Sequence, residues 1–224
     1  MAYPSAPWTL QGHALQTFQL LDVERVRPLI PSELEIVQVL PGKTLGGIYL
    51  SYYGAGSVME YSELIVNAAM VRYIGKVGAW VSHIYVDNPD SVAGGREIWG
   101  LPKELAEFRW EKGSSGTAGY ENRVIVRQGE QTLCRFSYNQ PSFGLPVPIG
   151  GDVFSTLSNS ILLFKGELKS QVGVVGSKLL IPIDSPFASL DLTQPWLTIY
   201  CDRLRLVAGV PIVVGQRDVA FSYR

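Results

Sequence analysis

A succession of short runs rich in β-branched and aromatic residues, each closed off by proline or glycine, limits this chain more than any other feature. Ala14 to Leu21, Glu35 to Leu40, Leu45 to Tyr53, Glu63 to Ile74 and Val77 to Val86 have this character. So do Ala106 to Glu111, Tyr120 to Arg127, Thr132 to Tyr138, Leu168 to Val175, Trp196 to Val207 and Pro211 to Tyr223. Apolar runs of this length between turn residues read as strands. Arg123 to Arg127, then Gln128-Gly129-Glu130 and a second run from Gln131, reads as a hairpin. Only three segments look helical. Asp22 can cap a short helix through Leu29, and Asp90 another that Gly100-Leu101-Pro102 stops. Val153, Leu157, Ile161 and Phe164 recur at helical spacing, which predicts a third helix over Asp152 to Phe164. The expected architecture is mainly β, an antiparallel barrel-like assembly with a few short helices, under about a quarter helical against the usual ~30–35%. Ser114 to Gly119 reads as an exposed loop, and residues 1–224 as a single domain.

At 224 residues the chain can bury a core without metal or disulfide staples. Lys and Arg number 19 against 20 Asp and Glu, with no run of five like charges, so neither a nucleic-acid groove nor a basic membrane patch is indicated. Charged residues are only 17% of the chain, and the expected partner is a small, modestly charged molecule. Cys134 and Cys201 lie in strand-like segments and are read as buried free thiols. The first charge is Asp22, but Pro4, Pro7, Gln11, Gly12 and His13 interrupt the uncharged stretch, so it does not read as a secretory leader. A soluble, cytoplasmic protein is expected. Sheet edges and low charge suggest a homo-oligomer.

His13, His83 and the two cysteines are scattered, so no metal spacing can be drawn. Gly54-Ala55-Gly56-Ser57-Val58 completes neither a nucleophile elbow nor a dinucleotide loop and reads as a turn. One constellation stands out: Gly95-Arg96-Glu97-Ile98-Trp99-Gly100-Leu101-Pro102-Lys103 sets a lysine directly after a rigid Leu-Pro in apolar surroundings. Desolvation disfavours an ammonium, and a free amine can attack a ketone or aldehyde to form a Schiff base. Taken alone, an isolated Pro-Lys in a loop is far more often a solvated surface lysine, and composition leaves the question there.

The run from Gly95 to Lys103 resembles the Gly-Arg-Glu-x-x-x-x-Pro-Lys signature of the acetoacetate decarboxylase-like superfamily, in which the lysine after proline forms the Schiff base. Acetoacetate decarboxylase is itself the standard example of a lysine activated by desolvation or a neighbouring cation. Arg27-Pro28-Leu29-Ile30-Pro31-Ser32-Glu33-Leu34-Glu35-Ile36 is similar to an early stretch of that family, and Val81 to Asp87 to its strand before the signature. Pro7-Trp8, Gly12-His13-Ala14-Leu15, Leu45-Gly46-Gly47, Tyr61 to Val66 and Gly100-Leu101-Pro102 resemble the branch containing the plant neoxanthin-deficient proteins, which keeps the Gly-Leu-Pro but not the lysine. The resemblance covers about the first half of the chain and implies a β-barrel or cone with the lysine in an apolar cavity.

There are departures. Glu104 stands where the decarboxylases carry a second lysine, and their arginine near Gly12 and their cavity glutamate near Leu45 are missing. Their other cavity glutamate aligns approximately with Glu60, and Glu63 nearby is an equally good occupant. The resemblance implies a Schiff-base-forming lyase for a keto acid or related carbonyl compound, with Lys103 as nucleophile and Glu60 as general acid or base. Arg96, Glu63, Trp99 and Leu101 would contact the substrate. Arg96 could orient a carboxylate or brace the lysine loop. No organic cofactor is implied, because the iminium is itself an electron sink. The alternative is a non-catalytic cavity protein for an apolar ligand such as an isoprenoid or carotenoid, although an apolar binder gains nothing from a buried amine. A lipocalin-like barrel lacks its early Gly-x-Trp. Because neighbouring residues on a strand point to opposite faces, Glu104 should turn away from Lys103.

Overall fold

The computed structural model describes residues 3–112, 122–139 and 144–217. The strands are β1 (Trp8–Asp22), β2 (Glu35–Ile36), β3 (Lys43–Tyr53), β4 (Tyr61–Tyr73), β5 (Lys76–Val86), β6 (Lys103–Leu105) and β7 (Glu107–Lys112). They continue with β8 (Asn122–Gln128), β9 (Gln131–Tyr138), β10 (Leu145–Leu157), β11 (Ser160–Val174), β12 (Ser177–Leu180), β13 (Leu197–Ala208) and β14 (Ile212–Gln216). Among the described residues two α-helices, α1 (Val23–Val26) and α2 (Pro89–Trp99), and two short 3-10 helices, Arg27–Leu29 and Ala188–Leu190, interrupt them. Helix accounts for 10% of residues, well inside the expected limit.

The order β4-β3-β1-β13-β11-β10-β5 closes on itself through the β4–β5 pair, giving a seven-stranded barrel. Every pair in the ring is antiparallel except β5–β10, which aligns Gly78 with Asp152 and Trp80 with Phe154 in parallel. The short β6 adds to β5 in parallel and places Lys103 beside Ile84. A second sheet, β12-β9-β8-β7, lies outside the ring.

Both faces of the barrel wall are apolar, which explains why many runs lack polar alternation. Tyr49, Val81, Ile84 and Leu204 belong to the cluster on the lumen side. Ile48, Leu50, Leu64, Val66 and Trp80 point outward into a cluster shared with Val124, Val126, Leu133 and Phe136 of the second sheet. Cys134 is in that outer cluster and Cys201 in the lumen cluster; both are free and buried. Burial pushes the Cys134 thiol up to about 12 and the Cys201 thiol up to about 11.

Several sequence expectations are corrected. Asp152 to Phe164 is not a helix but the tight hairpin between β10 and β11, turning at Ser158-Asn159, with Ser158 at φ 52°. The run is rich in β-branched and aromatic side chains, and the strands bury Phe154 and Ile161 to Phe164 on both faces while Leu157 stays exposed beside the turn. Asp22 precedes α1 in extended conformation but makes no capping bond; its carboxylate accepts from Lys43 Nζ at 2.6 Å instead. The cap of α2 is Asn88, whose side-chain oxygen accepts from Asp90 N and Ser91 N, and not Asp90. Ser114 to Gly119 falls outside the described residues. Among the described residues, no helix is long and apolar enough to cross a membrane.

Candidate active site

The local sequence of α2 and its exit explains how a lysine comes to be buried. Gly100 ends the helix in the left-handed conformation (φ 61°), where a Cβ would also lie 2.2 Å from the Thr156 carbonyl oxygen. The chain then turns through Leu101 and Pro102 into β6. Gly95, one turn back, faces the lysine stem: a Cβ there would stand 2.4 Å from Lys103 Cδ and 2.7 Å from Cε. With that space open, the side chain crosses the helix and enters the barrel. Arg96 Nε donates to the Lys103 carbonyl oxygen at 2.7 Å and holds the start of β6 against α2.

Lys103 is 3% exposed. Its Nζ donates to Glu63 Oε1 at 2.7 Å and to Ser91 Oγ at 3.0 Å. The amine also lies 5.0 Å from the centre of the Tyr61 ring and 5.7 Å from that of Trp8, within cation–π range. Behind Glu63, Tyr53 Oη donates to Oε2 at 3.3 Å, and Tyr49 Oη is 3.1 Å from Tyr53 Oη. Burial holds the Tyr49, Tyr53 and Tyr61 hydroxyls well above the ordinary phenol range, so they stay protonated donors.

This cluster borders a cavity of about 320 Å³ in the barrel lumen. Ile65, Val81, Leu101, Phe164, Leu168 and Leu206 are among the apolar residues of its wall. Trp8 and Trp99 pack edge to face at 4.8 Å and form part of the lining, each indole N–H satisfied by a backbone carbonyl.

Of the residues expected from sequence, the structure brings Lys103, Glu63, Trp99 and Leu101 together at the cavity. Glu60 is exposed and is not among the lining residues. The phase of β4 decides this: Tyr61, Glu63 and Ile65 face the lumen, and Glu60 precedes the strand. Arg96 is exposed and braces the lysine loop from outside rather than lining the cavity. Glu104 turns outward and accepts from Gln128 Nε2 at 2.9 Å. Sequence reasoning missed the roles of Ser91, Tyr49 and Tyr53. The last two had a usable signal, since residues four apart on one strand share a face.

Comparison with known proteins agrees with this geometry. A family model described as acetoacetate decarboxylase (ADC) matches residues 1–145, which includes the whole Lys103 segment. The chain belongs to the acetoacetate decarboxylase family. It is 32% identical over 108 residues to Protein NEOXANTHIN-DEFICIENT 1 of Solanum lycopersicum, covering 48% of this chain and 36% of that protein. It is also 32% identical over 141 residues to the acetoacetate decarboxylase of Burkholderia vietnamiensis, covering 55% of each. The matched stretches thus span between about a third and about half of these relatives' length. The acetoacetate decarboxylase structure from Legionella pneumophila superposes with a TM-score of 0.69 at 18% identity, over 96% of this chain and 90% of that one. The enduracididine biosynthesis enzyme MppR complexed with pyruvate gives 0.67 at 13% identity, over 96% and 93%. At these identities the two structures establish the family fold, which is the barrel described above.

Proposed function

We propose that this protein is a lyase that works through a Schiff base on Lys103. The observation that carries the reading is a buried amine on an apolar cavity wall, bonded to a carboxylate and a hydroxyl. Enzymes in the family, among them the acetoacetate decarboxylases matched here, support a lyase-type reaction.

Glu63 takes a proton from the Lys103 ammonium, freeing the lone pair for attack on the substrate carbonyl carbon. The resulting carbinolamine loses its hydroxyl as water, with the proton returned by Glu63, and leaves an iminium between Nζ and the substrate. The iminium draws the electron pair of the adjacent carbon–carbon bond as carbon dioxide or another carbon fragment departs. Protonation of the enamine and hydrolysis of the imine release product and restore the amine. Tyr53 and Tyr49 anchor Glu63 as the proton moves, and Ser91 keeps Nζ aimed at the cavity. Arg96 positions Lys103 through its backbone and touches no substrate. Metal and organic cofactors have no place in these steps, since the iminium supplies the electron withdrawal.

An apolar-ligand carrier is the second reading, favoured by the cavity wall and by the plant relatives. A carrier, however, gains nothing from a buried ion pair that costs desolvation. Hydrogen exchange separates the two. With a short ketone such as 2-butanone in heavy water, the lyase reading expects α-hydrogens to exchange by NMR at a rate that Lys103→Ala lowers to background. Exchange equal to background in the native protein would overturn it.

A further inference from the structure

The cavity opens along one wall in a way the Schiff-base site alone does not require. On β10, residues 145, 147, 149, 151 and 153 share a face, and the unbroken pairing with β11 keeps them in phase. Val153 packs inside the barrel and Ile149 lines the cavity while remaining 40% exposed. Val147 and Leu145 continue the row outward, both exposed. Across the hairpin, Phe164, Gly166 and Leu168 line the same cavity opposite Val153, Gly151 and Ile149. An apolar track therefore runs without a break from the lumen to the surface.

Its narrowest side chains are glycines. A Cβ at Gly151 or Gly166 would meet nothing within 4 Å, and neither has the positive φ that would demand glycine. Neither backbone strain nor close packing accounts for them. What they leave is a bare stretch on the lumen face of the β10–β11 pair, with no side chain to obstruct a ligand lying across it. The charges point the same way. Among the described lining residues Lys103 is the single cation, while Glu63 and Asp152 are both acidic. Glu63 already neutralises Lys103, and Asp152 is paired with the exposed Lys165 at 2.9 Å. No unpaired cation remains among the described lining residues to receive a substrate carboxylate.

We propose that the substrate is an uncharged carbonyl compound with an elongated apolar tail, which passes over the Gly151–Gly166 pair and lies along Ile149, Val147 and Leu145. This rests on the Schiff-base reading and narrows it: the fragment lost from the iminium is then a neutral carbonyl piece, released by retro-aldol cleavage. The electron pair of a carbon–carbon bond moves into the iminium as the hydroxyl on the departing carbon loses its proton to Glu63 and becomes a carbonyl.

The test measures 2-alkanones of five to eleven carbons by quenching of tryptophan fluorescence, using a K103M/E63Q double variant so that binding is read without imine formation. Replacing both charges leaves no unpaired ion in the barrel. Each buried methylene strengthens binding about fourfold, and with partial burial 2-undecanone should bind at least about 100-fold tighter than 2-pentanone. Gly151→Val should shrink that ratio at least tenfold, and 2-undecanone should bind at least tenfold tighter than 2-oxoundecanoate. Affinity independent of chain length, or tighter binding of the oxo acid, would overturn the proposal. So would a Val147→Asp variant that turns a dimer into a monomer by light scattering while the length dependence stays intact, because the strip would then belong to a second copy of the chain. Separately, borohydride trapping of 2-pentanone on the native protein tests the Schiff base; its failure with the length dependence retained would sink the lyase reading and leave the tail track standing.

Discussion

Gly95→Ala isolates the lysine's path from everything else in the site. The added methyl would sit 2.4, 2.7 and 3.1 Å from Lys103 Cδ, Cε and Cγ. Carbon atoms pack comfortably at about 3.5–4.0 Å, so the stem must move by about 1 Å. Helix α2 gains about 0.5–1 kcal/mol from replacing an interior glycine by alanine, against about 1–3 kcal/mol for overpacking. The net loss in stability should therefore be no more than about 2.5 kcal/mol, leaving a folded protein. Chemistry should suffer far more. A displacement of about 1 Å breaks the 2.7 Å contact with Glu63 and the 3.0 Å contact with Ser91, and misplacement on that scale costs about 100-fold in rate. The assay is thermal unfolding by circular dichroism beside ketone α-hydrogen exchange. Gly94→Ala is the comparison: its methyl would meet the Trp8 ring at 2.6 Å, so stability should fall more. Native exchange rates in Gly95→Ala would show that the lysine does not depend on the space above that glycine, and the account of its burial would be wrong.

Other outcomes follow from the same structure. Glu63→Gln strands a buried ammonium and should cost about 3–5 kcal/mol by chemical denaturation, whereas Glu60→Gln, on the surface, should stay within about 0.5 kcal/mol; equal effects would put the lysine's partner elsewhere. Burial raises Tyr49, Tyr53, Tyr61 and Tyr138, and pushes Tyr85 up to about 12. Their unfolded phenols ionise near 10, so the unfolded chain binds fewer protons above that pH; stability is complete below pH 10 and is lost as pH rises toward the folded values. Absorbance at 295 nm should then show these tyrosines ionising together with unfolding rather than before it. Cys134 and Cys201, held as thiols by burial, should react with a thiol reagent at pH 8 only as fast as the protein opens, and rapid labelling in the native state would contradict their placement.

Much of the barrel was legible because short β-branched runs ending at glycine or proline have few other uses; Leu45 to Tyr53 and Val77 to Val86 differ from the observed strands by only one or two residues. Where the sequence misled, the cause was double-sided burial. Beside the β10–β11 turn, Phe154, Ser155 and Ile161 to Phe164 are buried on both faces, alternation disappears, and Val153, Leu157, Ile161 and Phe164 fall into a helical period by coincidence. The start of β1 was missed for the opposite reason, as Gln11, Gly12 and His13 dilute the run while Gly12 remains paired to Tyr53 and Leu204. In the site, Lys103 was visible through a contiguous motif. Glu63, Tyr49, Tyr53 and Ser91 come from three other elements, and only the closed ring and the docking of α2 bring them to one amine. The choice between Glu60 and Glu63 needed the strand phase, which a boundary error of one or two residues conceals.

The central claim, that Lys103 is the amine that bonds to substrate, is tested most directly by borohydride reduction with a short ketone followed by peptide mass mapping. The account predicts a single reduced adduct on the peptide containing Lys103, absent in Lys103→Ala, with exposed amines such as Lys165 and Lys76 unmodified at the same reagent concentration. Adducts spread evenly over the surface lysines, or an adduct that survives in Lys103→Ala, would contradict it.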